Sequence, residues 1–372
     1  MGSVRLCRSA DRRYMTSIGP RGATAQREDV VSDEAGLTRR SMLTACAAAV
    51  LGLARCSSPS ESPRGVASAS PDNTSIVRLL EDLNGRQVFP RDNWWNLDIS
   101  GAPVDPQSEA FIGSLGGHAK TMHPDFGPPP YGLPYVTVGS TQPRVVISSF
   151  KYASESDAGF PGDPAGYPIP EDARTRPNYI EGGVPGGGTD GDRHLIIIDR
   201  DRWLLYELFA ARWNAATGQW EAGSGAIFDL SSNARRPEGW TSADAAGLAI
   251  FPGLIRYDEV FGPGEITHAF RFTASAVNGH VWPASHTTWV AQGYLPLGAR
   301  LRMKASVDVA PFPPPVRKIF EAMKTHGLIL ADIGAGLFVQ GTMDSRWDND
   351  VLNPAFRSIR ATDFEVVQLG WR

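Results

Sequence analysis

The sequence predicts a mainly β protein, organised over residues 70–372 as a single-domain β-sandwich or jelly-roll with a few short peripheral helices. Its 372 residues include 39 Gly and 29 Pro, a density of turn formers that favours many short strands over long helices. Ten short runs rich in β-branched and aromatic residues are separated by Gly, Pro, Asn and Asp clusters. Neither a regular βαβ alternation nor an internal repeat breaks that pattern. With 42% apolar and 20% charged residues the chain can bury a real core, which excludes a disordered chain, a collagen or a coiled coil.

Taken in order, Ile76, Val77, Leu79, Leu80 and Leu83 fall at helical spacing behind the capping candidates Asp72, Asn73 and Thr74, with Gly85 to end the helix. Asp105-Pro106 opens a second helix through Phe111, Ile112 and Leu115, with Pro at the first helical position. The third, Pro315 to His326, sets Val316, Ile319, Phe320 and Met323 on one face and stops at Gly327. A single helical turn is expected at Ala243–Ala246. Strands are expected at Tyr135–Val138, Arg144–Tyr152, His194–Asp199, Leu204–Trp213, Ala226–Leu230, Ile266–Ala274, Leu301–Val307, Leu328–Asp332, Leu337–Gln340 and Phe364–Leu369. Among these, His194–Asp199 should pair with Leu204–Phe209 across an Arg-Asp-Arg turn, with Trp220 onward returning as the next strand of a meander.

Residues 153–193 stand apart. They carry Glu155, Asp157, Asp163, Glu171, Asp172, Glu181, Asp190 and Asp192 among many Gly and Pro residues. A loop of that length in a compact domain tends to be functional, although a solvated insertion is the plainer alternative.

The net charge of −4 hides two unlike pieces: residues 1–69 hold ten Arg and six acidic residues, so residues 70–372 are markedly acidic. An acidic body has no basic surplus to replace phosphate counterions, which argues against nucleic acid and anionic membrane as partners. All three cysteines, Cys7, Cys46 and Cys56, fall in the first 56 residues, leaving the body without a disulfide or a thiolate. Thr38-Arg39-Arg40-Ser41-Met42-Leu43 resembles the twin-arginine (Tat) export motif. It runs into a thirteen-residue apolar stretch, Met42 to Ala54, and Ala67-Ser68-Ala69 offers a cleavage site. The resemblance implies passage through the Tat translocase, which carries folded proteins, to the cell envelope or the exterior. Leu53-Ala54-Arg55-Cys56 resembles a bacterial lipoprotein box, although Arg55 departs from the small residue wanted there. Cys56 is therefore a candidate lipidation site beside the alternative of simple release.

Familiar catalytic signatures fail. The body has no H-E-x-x-H, no C-x-x-C, and no G-x-S-x-G, because Ala222 precedes Gly223-Ser224-Gly225. Four histidines sit in chemically loaded settings: His123-Pro124-Asp125, Asp192-Arg193-His194, Thr267-His268 and Ser285-His286. Imidazoles there could bind a metal or move a proton, although a structural hydrogen-bonder is the plainer reading of each. Glu181 and Asp192 bracket a Gly-rich loop, while Asp244, Asp258, Glu259 and Glu265 cluster later; Asp244 reads most simply as a residue at a helix start. Glycosidic hydrolysis needs one carboxyl kept protonated and a second ionised, about 5 to 9.5 Å apart. Acidic loops can also hold Ca²⁺, but no D-x-[DN]-x-[DN]-G pattern is present. Ten tryptophans include Trp94-Trp95, Trp240, Trp282 and Trp289 in loop-like settings, where indole faces could stack on sugar rings or simply pack the core.

The body also resembles secreted bacterial proteins that carry runs like Phe89-Pro-x-Asp-Asn-Trp-Trp-Asn96, His123-Pro-Asp-Phe-Gly127 and Gly239-Trp-Thr-Ser-Ala-Asp-Ala-Ala-Gly247. That resemblance implies export and one continuous domain and names no reaction. The leading expectation is an exported glycoside hydrolase acting on a polysaccharide or cell-envelope glycan. Glu181 and Asp192 would be its acid and base or nucleophile, and His194 and His268 would orient the substrate or tune the carboxyls. Trp240, Trp282, His123 and Asp125 would bind substrate. A non-catalytic glycan-binding or envelope protein and a His/Asp metal-dependent enzyme stand as alternatives.

Overall fold

The structure, a computed structural model, describes residues 76–288 and 290–372. The twin-arginine run, the apolar segment after it, Cys56, Ala67-Ser68-Ala69 and Trp289 lie outside the described residues. Among the described residues the chain is mainly β, with three sheets and few helices, as the turn-rich composition led us to expect. None of those helices is long and apolar enough to cross a membrane.

The first sheet runs in the order β1 (Arg78–Leu79), β3 (Tyr135–Val138), β5 (Leu195–Asp199), β6 (Leu204–Phe209) and β9 (Ser224–Asp229). The second has six strands: β14 (Phe364–Val366), β11 (Arg300–Met303), β12 (Leu328–Ile333), β10 (Phe270–Ala274), β13 (Phe338–Gln340) and β2 (His123–Asp125). A small third sheet joins β4 (Ile147–Phe150), β8 (Gln219–Ala222) and β7 (Arg212–Asn214). Pairing is mixed, since β3–β5, β4–β8, β10–β12 and β2–β13 are parallel. The expected hairpin of β5 and β6 is present, from Leu195 opposite Leu208 to Asp199 opposite Leu204. It is β9, not the Trp220 run, that continues this sheet; Trp220 pairs instead in the third.

Strand alternation divides the interior. Ile196, Ile198 and Leu205 face a large core shared with the second sheet, while Leu195, Ile197, Leu204, Tyr206 and Leu208 face a smaller one shared with Ile147 and Trp220. Burial on both faces explains why β5 and β6 read as nearly continuous apolar runs. Residues 153–193 cover the outer face of the first sheet instead of floating free. Tyr167, Ile169, Ala173, Tyr179 and Ile180 fill the smaller core, and Asp163 ties the segment to Arg144 (2.8 Å) and Arg202 (2.5 Å).

Two expected helices form, α1 (Ser108–Ser114) and α4 (Pro314–Thr325), and α4 buries Val316, Ile319, Phe320 and Met323 as its spacing required. Gly327 ends it in the left-handed region at φ +75°, where a Cβ would collide with Leu301 O. Three shorter helices complete the set: α2 (Asp172–Thr175), α3 (Tyr257–Phe261) and α5 (Asn349–Arg357). The helix expected at 76–83 is absent. Arg78–Leu79 adds instead to the edge of β3, with Val77 and Leu79 packed on the smaller core and Leu80 and Leu83 on the larger. A short apolar run satisfies either period, and the open ladder of β3 decides between them. Ala243–Ala246 forms turns, not a helix.

Candidate functional site

At one end of the first sheet, His194 precedes β5, Phe209 closes β6 and Ser224 opens β9; Phe209 pairs with Ser224. Two residues of the adjoining chain reversals, Arg193 and Ala210, hold left-handed backbone at φ +51° without being glycine. Such strained backbone persists only where its surroundings over-determine it, and it gathers at functional sites. The loop 239–249 and the end of β12 close over this edge and leave a cavity of about 400 Å³. Its walls carry three carboxyls, Glu155, Asp192 and Asp332, with His286, Tyr152 and Phe209, while Asp244 lines it with its side chain wholly buried.

Behind the cavity lies a buried charged group. Arg271 projects from β10 between the two large sheets and is wholly buried, one of its Nη atoms 2.8 Å from Asp244 Oδ1 and 3.6 Å from Asp332 Oδ2. Its Nε and Nη1 have no partner, and neither does Asp244 Oδ2. Glu207, on β6, accepts hydrogen bonds from the backbone N–H groups of Ile250 and Phe251 at 2.9 Å, and burial pushes its carboxyl up to about 7. Burial likewise raises Asp244 far above the usual carboxylate range and raises Asp332, against the pull of Arg271 on both. Asp332 differs from Asp244 in keeping 22% of its side chain exposed.

Local chemistry explains these placements. Across β10 and β12 the register shifts, so that Phe272 pairs with Leu330 but Thr273 with Asp332, leaving Ala331 as an extra residue. Without that bulge Asp332 would sit opposite Ala274, on the other face from Arg271. The Ala331 carbonyl also accepts the N–H of Ala246 (3.0 Å), fastening the loop that carries Asp244. That loop winds around its own acceptors: the Thr241 hydroxyl and the Gly247 N–H donate to Asp244 O, and the Ser242 hydroxyl donates to Leu248 O. Asp244 is therefore a buried ion-pair partner, not a residue opening a helix.

His194 and Glu181 form a tight pair beside this group. His194 Nδ1 lies 2.7 Å from Glu181 Oε2, and Nε2 lies 3.0 Å from the carbonyl of Ala243. A carbonyl only accepts, so Nε2 carries a proton, and Nδ1 donates to the carboxylate; the ring is an imidazolium. Burial alone would lower the pKa of this ring, but Glu181 outweighs it and holds the imidazolium up to about 9. Burial would raise Glu181, and His194 reverses that and holds it below its ordinary range. Glu181 thus lacks the proton a general acid needs, and it is not among the residues lining the cavity.

Of the residues expected from sequence, Asp192 lines the cavity, while Glu181 and His194 stand just behind it. Asp125, on β2, accepts from Gln340 Nε2 (3.3 Å) and is raised by burial, within electrostatic reach of Glu181 and Arg271 but outside the cavity wall. His123 packs its ring 4.2 Å from that of Phe338. His268 is elsewhere, with Nε2 2.9 Å from Glu259 Oε2 and Nδ1 2.9 Å from Ala269 O, on a separate cavity of about 610 Å³. Burial would raise Glu259, but Arg256 and His268 hold it down to about 2, which fits an ion-paired structural carboxylate. Trp240 packs under the Arg236 guanidinium (5.4 Å) and Trp282 among Trp94, Arg300 and Arg372, so neither lines the acidic cavity. Sequence reading passed over Glu207, Arg271 and Asp332. The available signal was a charged residue at an inward position of an apolar strand, as in Phe270-Arg-Phe. Among the described residues no three His, Cys, Asp or Glu side chains are grouped to hold a metal ion.

Fold and site together define a mainly β protein with an acidic cavity backed by a buried Arg–carboxyl cluster. Comparison with protein families, curated proteins and solved structures gave no match to this chain.

Proposed function

We propose that the protein is an exported carbohydrate-active enzyme that hydrolyses glycosidic bonds with a pair of carboxyls, and that the pair is Asp332 and Asp192. The observation that carries this reading is the contrast between them. Asp332 is raised by burial yet keeps a face open to the cavity, whereas Asp192 is an exposed rim residue. That is the division of labour glycoside hydrolysis requires. Asp332 gives its proton to the leaving glycosidic oxygen, and Asp192, as carboxylate, activates water or attacks the anomeric carbon. Water supplies the proton that restores Asp332 and the hydroxyl that ends on the sugar. Asp244 and Arg271 position Asp332, and the His194–Glu181 pair braces the wall through Ala243. Tyr152 and Phe209, not the tryptophans, are the rings on which a sugar would rest.

The two larger sheets share one core, and we read them as the sandwich that frames this end. Export through the Tat translocase, a lipid anchor at Cys56 and a glycan of the cell envelope or surroundings as substrate belong to the same proposal and rest on the sequence alone. The test is reducing-sugar release by the full chain across bacterial and plant polysaccharides. Asp332→Asn and Asp192→Asn should each lower release by about 100-fold or more with the thermal midpoint little changed. Release that survives both variants would discard the pair. Saturable glycan binding without release would make the protein a binding module.

A further inference from the structure

We infer that the protein carries a second glycan-binding site, separate from the acidic cavity, in which a neutral sugar ring stacks on Phe261; the ligand class rests on the carbohydrate reading above. The site is the cavity of about 610 Å³ beside His268. It lies where the chain enters β10, at Thr267 and His268, whereas Asp332 and Ile333 of the acidic cavity end the parallel neighbour β12. The two cavities therefore sit at opposite ends of the second sheet. One observation is an exposed aromatic face. Phe261, the last residue of α3, lines the cavity and is 53% exposed. Its ring stacks on that of Tyr257, with centroids 4.3 Å apart and planes 22° apart. Tyr257 is itself held by the Arg346 guanidinium, 4.1 Å from its ring centre, and by an edge contact with Trp347 (5.0 Å). The platform is thus ordered before any ligand arrives, which lowers the cost of binding. Gly264 lines the same cavity, and a Cβ there would meet nothing within 4 Å.

The other observation is a polar wall that mixes both signs of charge. Arg256 pairs with Glu259, which also holds His268 Nε2 (2.9 Å). Arg346 bridges Asp82 (2.9 Å) and Asp344 (2.6 Å). Asp258 accepts the Leu83 N–H (2.8 Å), and Arg86 donates to Arg200 O (2.9 Å). An anion entering here meets carboxylates and a cation meets guanidiniums, so neither finds a wall of the opposite sign. A purely apolar ring would use Phe261 but would strip water from the wall without replacing its hydrogen bonds. A neutral sugar presents an apolar face for Phe261 and a rim of hydroxyls, each able to donate and accept, for the wall. A cavity of this volume lies within the range that holds small ligands.

The test is calorimetry on the full chain carrying Asp332→Asn, so that oligomers are not cleaved during the titration. The probes are neutral hexasaccharides of glucose, xylose, mannose and N-acetylglucosamine, with hexamers of glucosamine and galacturonate as cationic and anionic comparators. At least one neutral oligomer should bind, and more tightly than either charged one. Adding Phe261→Ala should weaken one binding event about tenfold or more, the scale of a lost ring contact, with the thermal midpoint little changed. Gly264→Trp, which adds bulk where a side chain meets open space, should do the same. Binding that neither variant changes, preference for a charged oligomer, or no binding by any probe would overturn the inference. Reducing-sugar release by the parent separates the two readings. Release without Phe261-dependent binding would keep the hydrolase and discard this site, and Phe261-dependent binding without release would keep the site and discard the hydrolase.

Discussion

His194 shows how a single side chain converts burial into a fixed charge. Its ring donates to Glu181 and to the Ala243 carbonyl, so both partners demand the imidazolium. Because the folded-state pKa is raised from 6.5 to about 9, the stability from this ring is complete below 6.5 and is lost as pH rises through about 9. Glu181 is lowered, so its contribution is present above its ordinary value of 4.5 and fades as pH falls. Between those limits Glu181→Gln should cost about 3 kcal/mol, the usual loss when one partner of a buried pair is removed. Chemical denaturation at pH 6 and pH 10 reads this directly: the gap between variant and parent should be wide at pH 6 and narrow at pH 10. An equal gap at both values would mean that the pair is not ionised as described. The same pairing was invisible in sequence. Glu181 and His194 stand thirteen residues apart, and only the folding of the 153–193 segment against the first sheet joins them. Asp192, only two residues from His194 in sequence, is not the carboxylate that this ring meets.

At the scale of elements, the site depends on two irregularities that periodicity cannot announce. The bulge at Ala331 turns Asp332 onto the face of Arg271, and the loop 239–249 wraps Asp244 against the same guanidinium. Strands such as β5, β6 and β12 were legible because apolar β-branched runs between turn formers have few other ways to be buried. Helix α5 was not, because Pro354 interrupts it. Asp348 nevertheless caps it through the N–H of Asp350, and Phe356 anchors it against Phe126 and Phe320. The loop offers a sharp contrast between two glycines. Both Gly239 and Gly247 are left-handed, at φ +81° and +71°, but a Cβ at 239 meets nothing, whereas one at 247 collides with Ser285 Oγ and comes within 2.6 Å of Trp240 O. Gly239→Ala should therefore cost only the backbone penalty of about 1 kcal/mol. Gly247→Ala should displace the loop and lower glycan hydrolysis at least tenfold, with a larger drop in thermal midpoint. Matching losses in the two variants would show that the loop does not hold Asp244 in place.

For the whole molecule, the mainly β class follows from composition, yet the layout of three mixed sheets does not. Parallel pairings such as β10 with β12 and β3 with β5 join strands far apart in sequence, and nothing local specifies them. This layout creates the space between the two large sheets where Arg271, Glu207, Asp244 and Asp332 meet. Charged residues in three different apolar strands look like isolated exceptions until the sheets bring them together. The central claim is that Asp332 serves as the proton donor of a cavity assembled in this way. The measurement that tests it most directly is the pH profile of kcat/KM for the full chain and Asp332→Asn. It should be run on a natural glycoside and on its 2,4-dinitrophenyl counterpart, whose leaving group needs no acid. In the parent, turnover of the natural glycoside should fall on the alkaline side as Asp332 gives up its proton. Asp332→Asn should abolish that turnover, keep most of the dinitrophenyl activity and lose the alkaline limb. An alkaline limb that persists in the variant, or equal losses on both substrates, would contradict the assignment.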